Sequence, residues 1–113
     1  NSKTSIKDVF KSDTLRVVAS RFYQNPKLDL FLEKFNSFEL LRMGSSLKFM
    51  SIVSQNADLY PRFSPCMEWD TAASDAILRE LGYQIRLISD SFEIGDMLAY
   101  NKKSLHNPAF IAY

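Results

Sequence analysis

The chain has 113 residues, 46% of them hydrophobic and 13% aromatic, and a net charge of +1. That is enough for one domain with its own core and too little for two, and the near-neutral balance gives no long-range field for nucleic acid or an anionic membrane. A single cysteine, Cys66, excludes an internal disulfide and suits a reducing compartment, and with no bilayer-length apolar run and no secretory h-region we expect neither a membrane span nor a leader.

Residues 1–14 are polar and mixed, and we expect a linker there, with the compact domain running from 15 to 113. Leu15-Arg16-Val17-Val18-Ala19 is a short β-branched run and reads as a buried strand. Asn25-Pro26 opens a helix, because proline is at home in a first turn. Leu28, Phe31, Leu32 and Phe35 then keep helical spacing, with Lys27, Asp29, Glu33 and Lys34 outside. Phe38 to Arg42 reads as a second strand. Ser45 to Ser54 reads as a helix capped by Ser45 or Ser46, with Leu47, Met50 and Val53 or Ile52 on its buried side. Asp58 to Arg62 is a short strand and Phe63 to Met67 a loop. Asp70 to Leu81 is a helix with Asp70 as its N-cap, Ala72, Ala73, Ala76, Ile77 and Leu81 on one apolar face, and Gly82 as a left-handed stop. Tyr83 to Ile88 reads as a strand, Ser89 to Gly95 as a loop, and Met97–Tyr100 and Ala109–Tyr113 as closing strands.

Three stretches place polar or charged side chains at a helix start or a strand end, where open α/β sheets bind ligands. They are Gly44-Ser45-Ser46-Leu47-Lys48-Phe49, Leu59-Tyr60-Pro61-Arg62-Phe63 and Glu68-Trp69-Asp70-Thr71-Ala72-Ala73. Each has an ordinary reading. A lone Asp before a helix is a cap, a lone Lys is a solvated surface residue, and an Arg ending a strand is a solvated end. Trp69 reads as a packing wedge and Tyr23 as a packed aromatic. Lys48 and Arg62 gain weight together, since arginine can grip phosphate oxygens in pairs and lysine supplies a compact charge. Gly44 permits close backbone approach. Small residues after Asp70 leave that helix start open to an anion, and a carboxylate there suits a bridging Mg²⁺. His106 has no partner at a telling spacing and reads as a surface histidine; Cys66 has no partner for nucleophilic work.

The Trp69-Asp70-Thr71-Ala72-Ala73 stretch resembles the second signature of the inositol-monophosphatase superfamily of Mg²⁺-dependent phosphatases. The Gly44–Phe49 and Leu59–Phe63 stretches, and the tail from Tyr100 to Phe110, resemble its 3'(2'),5'-bisphosphate nucleotidases, the CysQ type. The resemblance implies a Mg²⁺-dependent phosphomonoesterase that removes the 3'-phosphate of adenosine 3',5'-bisphosphate through a metal-activated water. It implies Asp70 as a metal ligand and catalytic residue, with Ser45, Lys48, Arg62 and Asp70 binding substrate and Gly44 and Tyr23 as further contacts. It also implies a cytoplasmic enzyme, with the inner face of the membrane as an alternative. Phe22 and Tyr23 stand where the nucleotidases carry Ser-His, which keeps an inositol or sugar phosphate open as substrate; a non-catalytic binding domain is the third reading. Members are roughly twice this length, and their Asp-Pro-x-Asp-Gly motif is not in this chain. We therefore expect the C-terminal domain of a larger enzyme, inactive alone, whose partners are a phosphorylated nucleotide, the missing N-terminal domain and, for the isolated chain, itself. The expected fold is α/β, a mixed and largely parallel sheet of about five strands with helices on both faces.

Overall fold

The computed structural model of the chain describes residues 4–5, 10, 14–20, 25–35, 37–44, 47–63, 66–98, 100 and 106–113; for residues 4, 5, 69, 70 and 106 it describes the backbone alone. The described elements are β1 (Thr4–Ser5), β2 (Leu15–Ser20), α1 (Pro26–Leu32), β3 (Phe38–Met43), α2 (Leu47–Val53), β4 (Tyr60–Arg62), β5 (Cys66–Met67), α3 (Glu68–Glu80), β6 (Ile85–Ile88), β7 (Glu93–Met97), β8 (His106–Asn107) and β9 (Phe110–Ala112). Among the described residues no helix is long and apolar enough to cross a membrane.

Five strands form one sheet in the order β1-β7-β6-β9-β4, each pairing antiparallel. β2 and β3 pair in parallel, from Leu15 opposite Phe38 to Ser20 opposite Met43. A parallel bridge between Val17 and Leu59 sets β2 beside the entry to β4, so the two sheets continue into one another. β5 and β8 form a small antiparallel pair of their own. The fold is α/β and mixed, as expected, but not largely parallel. Parallel neighbours need a crossover connection, and among the described strands helices make one only between β2, β3 and β4; α3 joins β5 to β6, which lie in different sheets. After α3 the described chain returns by a hairpin and by β9, which slots between β6 and β4.

Helices do cover both faces. Leu28, Phe31 and Leu32 of α1 pack with Val17, Ala19, Leu59, Ile94 and Ile111. Phe49 and Ile52 of α2 and Leu78 of α3 pack with Val18, Tyr60, Ile85, Phe110 and Ala112. Neighbours in sequence, Val17 and Val18 or Phe110 and Ile111, therefore point into opposite cores, as the two-residue period of a strand requires. Strands buried on both faces read as continuous apolar runs, which is why β2 shows so plainly in the sequence. On α1, Lys27, Asp29, Glu33 and Lys34 are exposed as expected, and Asn25 caps the helix through Oδ1 to the Lys27 amide at 2.9 Å.

Several expectations are corrected. α2 buries Lys48, Phe49, Ser51 and Ile52, while Leu47 and Met50 are 58% and 49% exposed. α3 begins at Glu68, so Asp70 lies inside the first turn and is not the N-cap. Its buried face is Thr71, Asp75 and Leu78; Ala72, Ala73, Ala76, Ile77 and Leu81 are exposed. Cys66 and Met67 form β5 where a loop was expected, and the strand expected at Met97–Tyr100 instead runs from Glu93 to Met97. Thr4 and Ser5 pair with Ile94 and Glu93, and Phe10 stands edge-on to Tyr113 at 5.2 Å.

Three turns carry positive φ. Gly82 (φ +89°) ends α3 in a Schellman motif, with the Tyr83 amide on the Leu78 carbonyl at 2.8 Å and the Gly82 amide on that of Arg79 at 3.2 Å. Gln55 (φ 63°) does the same for α2, with Asn56 on Ser51 at 2.9 Å and Gln55 on Ile52 at 3.1 Å. Phe92 (φ 61°) closes the β6–β7 hairpin, held by edge contacts with Phe31 and Phe63 at 5.8 and 5.7 Å. The left-handed conformation costs an L-residue about 1–2 kcal/mol, and glycine returns part of that as unfolded-state entropy. Gln55→Gly should therefore stabilise the chain by roughly 0.5–1 kcal/mol in urea unfolding. Phe92→Gly should destabilise it by about 1–3 kcal/mol, because the lost aromatic packing outweighs the relieved backbone.

Candidate functional site

β2, β3 and β4 run the same way, and their C-terminal ends fall at Ser20, Met43 and Arg62. The chain leaves β2 through α1 to reach β3 on one side. It then crosses back through α2 to reach β4 on the other. Crossovers of one hand in opposite directions put their helices on opposite faces, and α1 and α2 are so placed. This is a topological switch point, where open α/β sheets form a ligand crevice beyond the strand ends. A small cavity of ≈ 30 Å³ opens there, walled by Ser20 and Asn25 on one side and Tyr60, Arg62 and Phe63 on the other.

Tyr60 is the centre of the charged part. It is 2% exposed, wedged edge-on against Phe49 at 5.0 Å and Phe110 at 5.8 Å. Its ring lies under the Lys48 ammonium, 5.6 Å from Nζ to the centroid, a cation–π contact. Its hydroxyl accepts a hydrogen bond from Arg62 Nη1 at 3.4 Å. Residues 60 and 62 share one face of β4 by the strand's alternation, and α2 brings Lys48 to that face. Lys48 is 5% exposed, so the reading of it as a solvated lysine is overturned. Burial, and after it the charge of Arg62, hold the Lys48 ammonium below its ordinary pKa. The ion pairs among the described residues join Arg16 to Asp58, Lys27 to Asp90 and Arg79 to Asp75, and none reaches Lys48. Two neighbouring cations, one of them buried, form a place where an anion with two or more oxygens is stabilised.

Gly44 lies at the end of β3, and a Cβ built there meets nothing within 4 Å, so the space in front of its backbone is open. Ser45, Phe22 and Tyr23 lie outside the described residues. The backbone of Asp70 belongs to the first turn of α3, and its side chain lies outside the description, as do those of Trp69 and His106. The structure thus brings Lys48 and Arg62 together around a residue that the sequence reading passed over as part of a strand. Tyr60 was findable: it stands two places before Arg62 with Pro61 between them, on the same strand face.

A hard cation such as Mg²⁺ wants oxygen donors and keeps several waters. Among the described residues no group of three His, Cys, Asp or Glu stands close enough to hold a metal ion. Asp58 and Asp75 are engaged by Arg16 and Arg79. The described residues alone do not make a Mg²⁺ site.

Fold and site define an α/β domain with a crevice at a topological switch point and two basic side chains beside it. The chain belongs to the inositol monophosphatase family, whose sequence model matches residues 3–111. It is 39% identical over 89 residues to an uncharacterised protein in the pss 5' region of Rhizobium leguminosarum bv. phaseoli, covering 74% of this chain and 88% of that protein. It is 36% identical over 95 residues to the 3'(2'),5'-bisphosphate nucleotidase CysQ of Salmonella typhimurium, covering 83% of this chain and 37% of that enzyme. The crystal structure of CysQ from Bacteroides thetaiotaomicron superposes with a TM-score of 0.75 at 38% identity, over 87% of this chain and 36% of the other. The chain spans about a third of the length of these CysQ relatives.

Lys48→Met keeps the apolar stem and removes the charge. The folded chain holds this ammonium below the value of about 10.4 that an unfolded lysine has, so the unfolded state binds the proton more tightly. The cost is present in full below the folded-state pKa and is relieved as pH rises toward the unfolded value. Lys48→Met should therefore raise the urea midpoint at pH 7, and its advantage should shrink as the pH climbs through that window. Equal midpoints across the whole range would show that Lys48 is well solvated after all.

Proposed function

We propose that the chain is the nucleotide-holding part of a Mg²⁺-dependent phosphomonoesterase acting on adenosine 3',5'-bisphosphate, releasing the 3'-phosphate to leave AMP. The observation that carries the reading is the pairing of buried Lys48 with Arg62 across Tyr60. A monophosphate substrate has one anionic group, which the catalytic centre itself must hold. A two-cation site built on α2 and β4, separate from the α3 residues that would hold metal, suits a substrate with a second, unreactive phosphate. The likeness to enzymes named 3'(2'),5'-bisphosphate nucleotidase supports it.

In this reading Arg62 grips phosphate oxygens in a fork and Lys48 adds a point charge from α2. Ser45 and the open backbone at Gly44 receive the same phosphate, and Tyr23 contacts the nucleoside. Asp70 supplies one metal ligand from the first turn of α3. The remaining ligands come from a further domain, which the greater length of the CysQ relatives accommodates. Mg²⁺, when bound, supplies charge neutralisation and an activated water. The chain of 113 residues by itself should then show no turnover of the bisphosphate; turnover at an enzyme-like rate would exclude a second domain's contribution.

A second reading, a binding domain without catalysis, has one observation in its favour: this chain spans 88% of the Rhizobium relative, so a chain of this size occurs elsewhere in the family. Substitution separates the readings in the protein made from its complete reading frame. Lys48→Ala and Arg62→Ala should each weaken bisphosphate binding by about 1.5–3 kcal/mol, the scale of charge-assisted hydrogen bonds. An inositol monophosphate should scarcely notice them. Asp70→Asn should lower kcat about a hundredfold or more with the fold intact. Equal losses on both substrates would remove the bisphosphate assignment, and an active Asp70→Asn variant would remove Asp70 from the metal site.

A further inference from the structure

The polar side of α3 is sealed by a group that none of the chemistry above uses. Asn107, on β8, is 3% exposed, and Thr71, in the first turn of α3, is 1% exposed. Asn107 Nδ2 lies 3.0 Å from the Met67 carbonyl, 3.0 Å from Thr71 Oγ1 and 3.3 Å from Cys66 Sγ. Its two amide hydrogens thus serve two oxygens, one on the residue before Glu68 and one on the residue after Asp70. Thr71 Oγ1 gives its own hydrogen to the Glu68 carbonyl at 3.1 Å, so it accepts from Asn107 and from the Tyr100 hydroxyl at 3.2 Å. The Tyr100 hydroxyl also hydrogen-bonds the buried Asp75 carboxylate, which ties the cluster to the next turn of the helix. The pairing of Cys66 with Asn107 and of Met67 with His106 carries the same strap onto the backbone.

Asn107 Oδ1 has no hydrogen-bond partner among the described residues although it is buried. An unpaired buried carbonyl is a cost that an apolar residue would not incur. The other end of the same amide grips both ends of the turn that contains Asp70.

We infer that Asn107 and Thr71 are positioning residues that fix the Glu68–Asp70 turn for the phosphoryl-transfer step, the C-terminal strap acting as its backing. The inference rests on the phosphatase reading. Among the described residues neither Asn107 nor Thr71 hydrogen-bonds to Lys48 or Arg62, which sit on α2 and β4. Loss of the strap should therefore fall on the chemical step and spare nucleotide affinity, because a misplaced catalytic group costs rate while remote contacts still bind.

The test uses the protein from its complete reading frame. Thr71→Val keeps the shape and removes the hydroxyl; Thr71→Ser keeps the hydroxyl. Asn107→Leu removes the strap and the orphan oxygen together. Thr71→Val and Asn107→Leu should lower kcat on adenosine 3',5'-bisphosphate roughly 10–100-fold, with KM and the Kd for AMP changed less than about twofold. Thr71→Ser should recover to within about threefold of the parent. Wild-type kcat in Thr71→Val, a Thr71→Ser no better than Thr71→Val, or AMP affinity falling in step with kcat would each overturn the positioning role. Amide exchange reads it without turnover: protection over residues 72–74, whose amides close the first turn onto the carbonyls of residues 68–70, should drop about tenfold in Thr71→Val and hold in Thr71→Ser. Equal protection in both overturns the inference even if the parent hydrolyses no bisphosphate, a result that would count against the phosphatase reading separately.

Discussion

The site depends on one seam, where Arg16 of β2 meets Asp58 ahead of β4. The Asp58 carboxylate accepts from the Arg16 amide at 2.7 Å and from its guanidinium at 3.1 and 3.3 Å, and the Asp58 amide returns a bond to the Arg16 carbonyl at 2.8 Å. Burial works against the Asp58 charge, and the hydrogen bonds and charge of Arg16 more than offset it, leaving the carboxyl below its ordinary pKa. Both side chains are about a third exposed, and such pairs contribute little net stability. Their importance is registry. With Val18 bonded to Leu59, they lock a parallel pair onto an antiparallel sheet at one alignment. A slip of one residue would turn Tyr60 and Arg62 to the opposite face, and the cation pair would vanish without any change in its residues.

Once β4 is in register, the rest of the site follows from burial. Phe49 and Phe110 fill one core and leave Tyr60 standing edge-on between them. Because Phe49 points inward, its neighbour Lys48 sits at the margin of the same face, its stem covered by the sheet and its ammonium over the Tyr60 ring. The lysine is buried as a by-product of packing its neighbour, and burial and the nearby Arg62 both work against its charge. Stability and binding pull against each other here.

Much of this was legible in the sequence where burial is two-sided. β2, α1 and β3 could be read because apolar runs and clean helical spacing leave one assignment, and Gly82 marked the end of α3 because only glycine takes that turn without strain. α2 and α3 were misread for a common reason. Counting apolar residues selects Leu47 and Met50 on one helix and Ala73, Ile77 and Leu81 on the other, and the structure exposes them. The true inner faces carry Lys48, Ser51, Thr71 and Asp75. Their burial is permitted by partners distant in sequence, such as Asn107 at 36 residues from Thr71. No local periodicity reports a partner that far away. β7 escaped for the opposite reason: Glu93-Ile94-Gly95-Asp96-Met97 has little strand character of its own and is held by β6 and β1.

The inverted α3 also explains how the chain spends polar burial. Asp75, 2% exposed, is held bidentately by Arg79 at 2.9 and 3.1 Å, and Arg79 also reaches the Leu98 carbonyl. Burial is the main cause that raises the Tyr100 hydroxyl well above its usual pKa, so the phenol stays protonated and remains a donor to Thr71. Apolar side chains in these places would pack as well and cost less desolvation. What they would not do is fix direction. A helix seated on leucines can rotate by a fraction of a residue with little penalty. One seated on Thr71, Asp75 and Asn107 cannot rotate without breaking donors that have no water to replace them. The first turn of α3 is thereby braced by groups behind it, while its front, at Ala72 and Ala73, stays small and exposed.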